Sequence, residues 1–260
     1  MAEDPTADPT IAARLATFGP NAAAYAQHRP DYPAEAIRWA LAGAARPVRQ
    51  VLDLAAGTGK LTDGLLALGL AVTAVEPDPG MRAEFARQHP DVPALDGTAE
   101  GIPLPDASVD AVLAGQAFHW FDLDRAFPEC ARVLRPGGVV AGLWNDEDRR
   151  VEWVAELARV RAETHGDPWP YESGMPASAG LEPFEVAQFA HVQRRTAESL
   201  TATIATYSHT AMIPAAQRAA ILARIQAFLE SRPEIAGGEF DLPLRTVVQR
   251  ARRTVPPLRD

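Results

Sequence analysis

A three-layer α/β domain built around a mostly parallel sheet is the fold class that this sequence predicts, on three observations. Between Val48 and Leu143, short apolar runs alternate with longer stretches of helical period, which is the pattern of βαβ units. A glycine turn follows the first apolar run and an acid ends the second, which places a ligand crevice at the carboxyl edge of a parallel sheet. The chain is 260 residues long and 47% apolar, enough for one large core but near the size at which a single core stops growing. One domain with appendages is expected.

The elements follow in order. Val48 to Leu54 reads as a buried strand, and the helix after it carries Leu61, Leu65 and Leu68 on one face, with Gly69 as its C′ glycine. Ala71 to Val75 is the second strand. Asp78 then caps a helix opened by Pro79, with Met81 and Phe85 facing inward. A short run from Val92 to Leu95 precedes a loop, and Val109 to Ala114 is a strand of continuous apolar character. Asp122 and Asp124 open the next helix, Arg132 and Arg135 close it in register with its dipole, and Pro136-Gly137-Gly138 stops it before a strand from Val139 to Leu143. Beyond this, a helix is expected over about Val151 to Glu163. A Gly/Pro-rich stretch around His165, Trp169 and Tyr171 reads as a linker or lid. Phe184 to Val192 reads as a strand, Ala197 to Tyr207 as a helix, and Ala215 to Glu230 as a helix with Ile221, Leu222, Ile225 and Leu229 inside. Phe240, Leu242 and Leu244 alternate as a strand, and Pro243 suggests an edge position for it.

Composition narrows the function. Lys plus Arg total 25 against 34 acids, a net charge of −9, which argues against a nucleic-acid partner. One cysteine forms no internal disulfide, and no Cys and His pair sits at zinc spacing, so a reduced compartment and no metal are expected. Residues 1–10 read as a disordered tail rather than a secretory signal, and no apolar run reaches the roughly 20 residues of a membrane span. A cytoplasmic protein with no membrane partner is the expectation.

The turn Asp53-Leu54-Ala55-Ala56-Gly57-Thr58-Gly59 puts bare backbone and unpaired helix N–H groups beside a ligand. A dinucleotide fingerprint would need a small third residue where Thr62 stands, and no phosphate-binding lysine motif is present. Asp53 repels a pyrophosphate and attracts a cation. Glu76, at the tip of the neighbouring strand, is placed to accept from both hydroxyls of a ribose. Together these residues describe a pocket for S-adenosylmethionine; the plain alternative is an ordinary βαβ turn with a surface glutamate.

The order of VLDLAAGTGKLT, VEPDPGMRA, GTAEGIPLPDASVDAV and ARVLRPGGVVAGLW resembles the class I S-adenosylmethionine-dependent methyltransferases. The likeness is to the small-molecule group that includes ubiquinone/menaquinone and trans-aconitate methyltransferases. FGPNAAAYAQHRPDYP and LPLRTVVQRARR extend it over most of the chain. The resemblance implies a Rossmann-like seven-stranded sheet whose seventh strand is antiparallel, with N-terminal cap helices over 11–47, the cofactor-binding core over 48–145, and a helical lid or insert with the last two strands over 146–260. It places Asp53, Gly57 and Gly59 near the methionine part of the cofactor, Ala55 among the cofactor-binding residues, Glu76 on the ribose, and Pro77 and Met81 at adenine. Thr98, Ala99 and Glu100 come beside the ring, and Gln116 near the methionyl end. Ala55 stands where the family often has glycine. Tyr25 and Arg29, with Tyr32, belong to a segment that in the family folds over the cofactor.

For the acceptor, the run from Gly115 to Phe121 follows the fourth strand on the ligand edge. Methyl transfer is a displacement at a sulfonium carbon, so the protein chiefly aligns donor and acceptor, and proximity alone is capable of supplying roughly 7–11 kcal/mol. His119 is the candidate base for a hydroxyl or acidic carbon, or else it stacks within its loop and touches no substrate. Trp120 and Trp144 wall an apolar acceptor or pack in the core, with Asn145 as a polar contact; Phe121 reads as a staple at its helix start. The expected activity is O- or C-methylation of a small metabolite. A non-methylating reaction of the same cofactor and a non-catalytic ligand-binding module stay open, and the sequence leaves the oligomeric state undetermined.

Overall fold

The computed structural model describes residues 19, 22–162, 174–235 and 238–254. The tail over 1–10 and the residues His165, Trp169 and Tyr171 lie outside the described residues. Two helices, α1 (Ala22–His28) and α2 (Ala34–Leu41), precede the alternating part. That part runs β1 (Gln50–Leu54), α3 (Lys60–Ala67), β2 (Ala71–Val75), α4 (Pro79–Gln88), β3 (Ala94–Leu95), β4 (Val109–Gly115), α5 (Leu123–Val133) and β5 (Leu134–Glu147). Then come α6 (Glu152–Val160), β6 (Glu185–Thr196), α7 (Ala197–Ala205), α8 (Ser208–Met212), α9 (Ala215–Glu230) and β7 (Glu239–Arg252).

The seven strands form one sheet in the order β3-β2-β1-β4-β5-β7-β6, parallel from β3 to β5, with β7 antiparallel to both its neighbours. This is the three-layer α/β, Rossmann-like architecture that the sequence predicts. Local chemistry places the elements. Gly69 takes φ 75° just past the end of α3, and Asp78 caps α4 by accepting from the Met81 N–H at 2.8 Å. On one side of the sheet, Leu52, Val112 and Val140 pack with Phe127, Cys130 and Val133 of α5; on the other, Val51, Leu113 and Leu143 pack with Ile37 of α2 and Leu61 and Leu65 of α3. A third cluster joins α6, α7 and α9 to Phe240, Leu242 and Leu244 of β7.

Two expectations are corrected. Arg135 is not in α5, which ends at Val133; its guanidinium donates to Asp110 and Gln50, both at 2.8 Å. Leu134 already pairs with Val109, and four residues of β5, through the Pro136-Gly137-Gly138 bulge, then stand against Asp110 before pairing resumes at Val139 and Ala111. The strand with Pro243 is internal, not an edge, because β6 covers its outer side. Proline is tolerated there because it falls one residue past the last β5 pair, Glu147 with Leu244, where its carbonyl still accepts from Asp148 at 3.0 Å.

Among the described residues, no helix is long and apolar enough to cross a membrane, and no cluster of three His, Cys, Asp or Glu residues is arranged to hold a metal ion.

Candidate active site

The ends of β1, β2 and β4, α1 and the segment from Gly97 to Glu100 surround a cavity of about 810 Å³, open solvent at its mouth included. Its floor is the glycine turn. Glu76, at the tip of β2, is 7% exposed and lines the cavity, and its carboxylate bridges two backbone donors: Oε2 accepts from Gly57 at 2.9 Å and Oε1 from Asp78 at 2.8 Å. Burial raises its pKa, and those two N–H groups work against the rise. Each oxygen keeps further acceptor capacity beyond these bonds, so the carboxylate can still accept from hydroxyls.

Gly57 takes φ 57°, and a Cβ there would meet no atom within 4 Å. It lines the cavity, so a side chain would enter the space that a ligand needs. Ala55 also lines the cavity and holds φ 55°, a conformation that alanine adopts at a cost. Asp53 is fully buried beneath the turn: its Oδ2 accepts from Thr62 at 2.6 Å, while Oδ1 is buried with no partner. Burial pushes its carboxyl up to about 7. An open crevice over glycine backbone, a ribose-competent carboxylate and an unmatched acidic oxygen nearby fit a cationic nucleoside.

Pro77, Met81, Thr98, Ala99 and Glu100 also line the cavity, joined by Gly97. Glu100 Oε1 also accepts from the Asp122 N–H at 3.0 Å, which ties this part of the lining to the start of α5. Tyr25, Gly115, Gln116, Ala117, Trp120 and Phe121 complete the lining. Gln116 has φ 57°; its N–H donates to Leu143 at 2.8 Å and its Nε2 to the Asn145 carbonyl at 2.7 Å. Such a strained residue on a cavity wall is held in place by these two bonds.

Comparison with known proteins decides the family. A methyltransferase-domain family matches residues 52–142. An uncharacterized methyltransferase of Mycobacterium tuberculosis is 44% identical over 239 residues, 90% of this chain and 95% of that protein. The chain belongs to the class I methyltransferases. A solved structure from Anaeromyxobacter dehalogenans, described as "a Putative Type II Methyltransferase", is 29% identical, with a TM-score of 0.65, and the likeness covers 88% of this chain and 99% of that one. A malonyl-[acyl-carrier protein] O-methyltransferase of Methylococcus capsulatus is 43% identical over 105 residues, 36% of this chain and 37% of that protein.

Several residues of this methyltransferase stand elsewhere than the sequence suggested. Trp144 is fully buried in the core, 6.1 Å from the Phe118 ring and against Gly142, so it walls no substrate. Asn145 spends its side chain inside the fold: Oδ1 accepts from Thr246 at 2.5 Å and Nδ2 donates to the Asp31 carbonyl at 3.1 Å. Gly59, Asp53, Arg29 and His119 do not line the cavity. His119 lies in a 3₁₀ turn, Phe118–Trp120, with its ring 4.6 Å from that of Trp120. Arg29 is sandwiched between the rings of Tyr25 and Tyr207, at 4.6 and 4.5 Å. Phe121, read as a staple, packs on Phe118 at 5.1 Å and also faces the cavity. Gly97 escaped the sequence reading, and Gly115, Ala117 and Phe121 were placed on the ligand edge without a role in the site, because small or apolar loop residues carry no polar signal of one.

Proposed function

We propose that this methyltransferase moves the methyl group of S-adenosylmethionine to oxygen or carbon of a small-molecule acceptor, with Glu76 on the ribose and Gly57 beneath the methionyl part. The observation that carries this reading is the Glu76 carboxylate, which lines the cavity while holding the Gly57 N–H, so one residue sets both the ribose acceptor and the shape of the turn. When bound, the cofactor supplies an electrophilic methyl group on a sulfonium. The chain's part is alignment: Tyr25, Gln116, Trp120 and Phe121 line the cavity and form the acceptor's end of it, leaving an acceptor little room for misorientation. Trp120 and Phe121 give that end an apolar wall, suited to an acceptor with a carbon skeleton. The partial likeness to a malonyl-[acyl-carrier protein] O-methyltransferase supports oxygen as the acceptor atom.

The test is calorimetric titration with S-adenosylhomocysteine, then incubation with methyl-labelled donor and metabolite pools. Binding in the micromolar range and label in a small product support the reading. Absence of binding ends it, and binding without label transfer favours a ligand-binding module. Glu76→Ala is expected to weaken S-adenosylhomocysteine binding by about 1.5–3 kcal/mol.

A further inference from the structure

The sheet continues past the cavity into a second polar region. Antiparallel register sets Asn145, Thr246 and Phe189 in one row and Glu147, Leu244 and His191 in the next; alternation puts Arg195 on the same face of β6. Tyr207, between α7 and α8, is the hub over this face. Arg29 lies over its ring at 4.5 Å and Arg161 at 5.6 Å. Arg195 is 7% exposed and reaches back to the His28 carbonyl at the end of α1.

The charges here do not balance. Arg161 is paired with the buried Glu147. Asp31 is exposed and already bonded to Lys60 at 3.1 Å. Arg29 spends two of its donors on Thr206, at 3.1 and 3.2 Å, and Arg195 donates to Gln193 at 2.7 Å. Among the described residues no carboxylate lies in ion-pair range of Arg29 or Arg195, and Arg195 Nε is buried with no hydrogen-bond partner. A buried guanidinium without an anion is costly, and the donors left over, Nε and Nη1 of Arg195 and Nη1 of Arg29, suit an oxyanion such as a carboxylate or phosphate. The region adjoins the cavity at two points. Tyr25 lines the cavity and stacks on Arg29, and Gln116 lines it and bonds Asn145.

Resting on the methyl-transfer reading above, we propose that the acceptor carries an oxyanion, a carboxylate or a phosphate, which Arg195 and Arg29 hold while the reacting atom reaches past Tyr25 into the cavity. Arg195 is then a specificity-determining residue rather than part of the cofactor site.

The full chain, saturated with S-adenosylhomocysteine, is titrated calorimetrically with glutarate, inorganic phosphate and the neutral dimethyl glutarate. One of the two anions binds and the diester does not; which anion binds separates a carboxylate from a phosphate source. Arg195→Gln weakens that anion at least tenfold and leaves S-adenosylhomocysteine affinity within twofold, while Arg195→Lys recovers part of the loss. If neither anion binds, if the diester binds equally well, or if Arg195→Gln leaves anion affinity unchanged, the inference is overturned. If Arg195→Gln does not fold, the anion-against-diester contrast in the unaltered protein still decides. Failure of S-adenosylhomocysteine itself to bind is a separate result and defeats the cofactor reading.

Discussion

The ring of His89 fills the space that a side chain at Gly59 would need. A Cβ built on Gly59 comes within 2.3 Å of His89 Nε2 and 2.5 Å of its Cδ2, with Phe85 behind at 3.2 Å. Gly59 takes φ 95° as it starts α3, and His89 is the residue that ends α4, stacked on Phe85 at 4.9 Å. The second glycine of the turn therefore serves packing between two helices, while Gly57 is the turn glycine that lines the cavity. Gly59→Ala should cost about 2–4 kcal/mol, from overpacking and a left-handed alanine together. Urea unfolding measures it, and His89→Ala in the same chain should return part of the loss. An additive double variant would show that the two residues do not meet.

Ala55 is the complementary case, a left-handed residue whose side chain is tolerated. Relief of roughly 1–2 kcal/mol of strain in Ala55→Gly is offset by about 0.4–1 kcal/mol of added unfolded-chain entropy. A rise in Tm of about 1–3 °C is expected, with S-adenosylhomocysteine affinity kept within twofold. A fall in Tm on thermal scanning would mean that the Ala55 methyl does packing that the backbone angle does not reveal.

Asp53 gives a pH signature. Burial lifts its carboxyl from 3.8 to about 7, so between those values the folded chain holds a proton that the unfolded chain has lost. Stability from this group is greatest below pH 4, falls as pH rises toward 7, and stays low above it. Asp53→Asn still accepts from Thr62 but carries no such proton. Its stability relative to the unaltered protein, measured in urea without nucleoside, should improve by roughly 2–3 kcal/mol from pH 5 to pH 8. A difference that does not change with pH would mean that Asp53 is ionised throughout. Because the same ionisation favours a cation, S-adenosylmethionine should bind the unaltered protein more tightly at pH 8 than at pH 6.

What the sequence revealed follows from how local each determinant is. The Asp78 cap, the Gly69 terminus and the Glu76 position are set within a few residues, and all three stand as the sequence predicts. The placement of β7 was hidden because Pro243 signals a missing donor but not that β5 has just ended beside it. Trp144 and Asn145 sit at the ligand edge in sequence terms, yet Gly142 and Phe118 draw the indole inward and Thr246, 101 residues away, claims the amide. The role of Gly59 was equally invisible, since its partner His89 lies a whole βα unit further along. Contacts of that range leave no mark on a local pattern.

His119 separates alignment from base catalysis. Its neighbours Trp120 and Phe121 line the cavity, while its own ring is turned against Trp120 and takes no part in the wall. A base must come within hydrogen-bond reach of the proton it removes, and His119 is not among the residues that line the cavity. His119→Ala should therefore keep S-adenosylhomocysteine affinity within twofold and lower kcat by less than tenfold, through a looser Trp120. Trp120→Ala should raise the acceptor KM more than His119→Ala does, because it strips an apolar surface from the acceptor's end. A loss of 10²-fold or more in kcat for His119→Ala, with the pH dependence of the rate removed, would restore the histidine as the base and displace alignment as the main catalytic contribution.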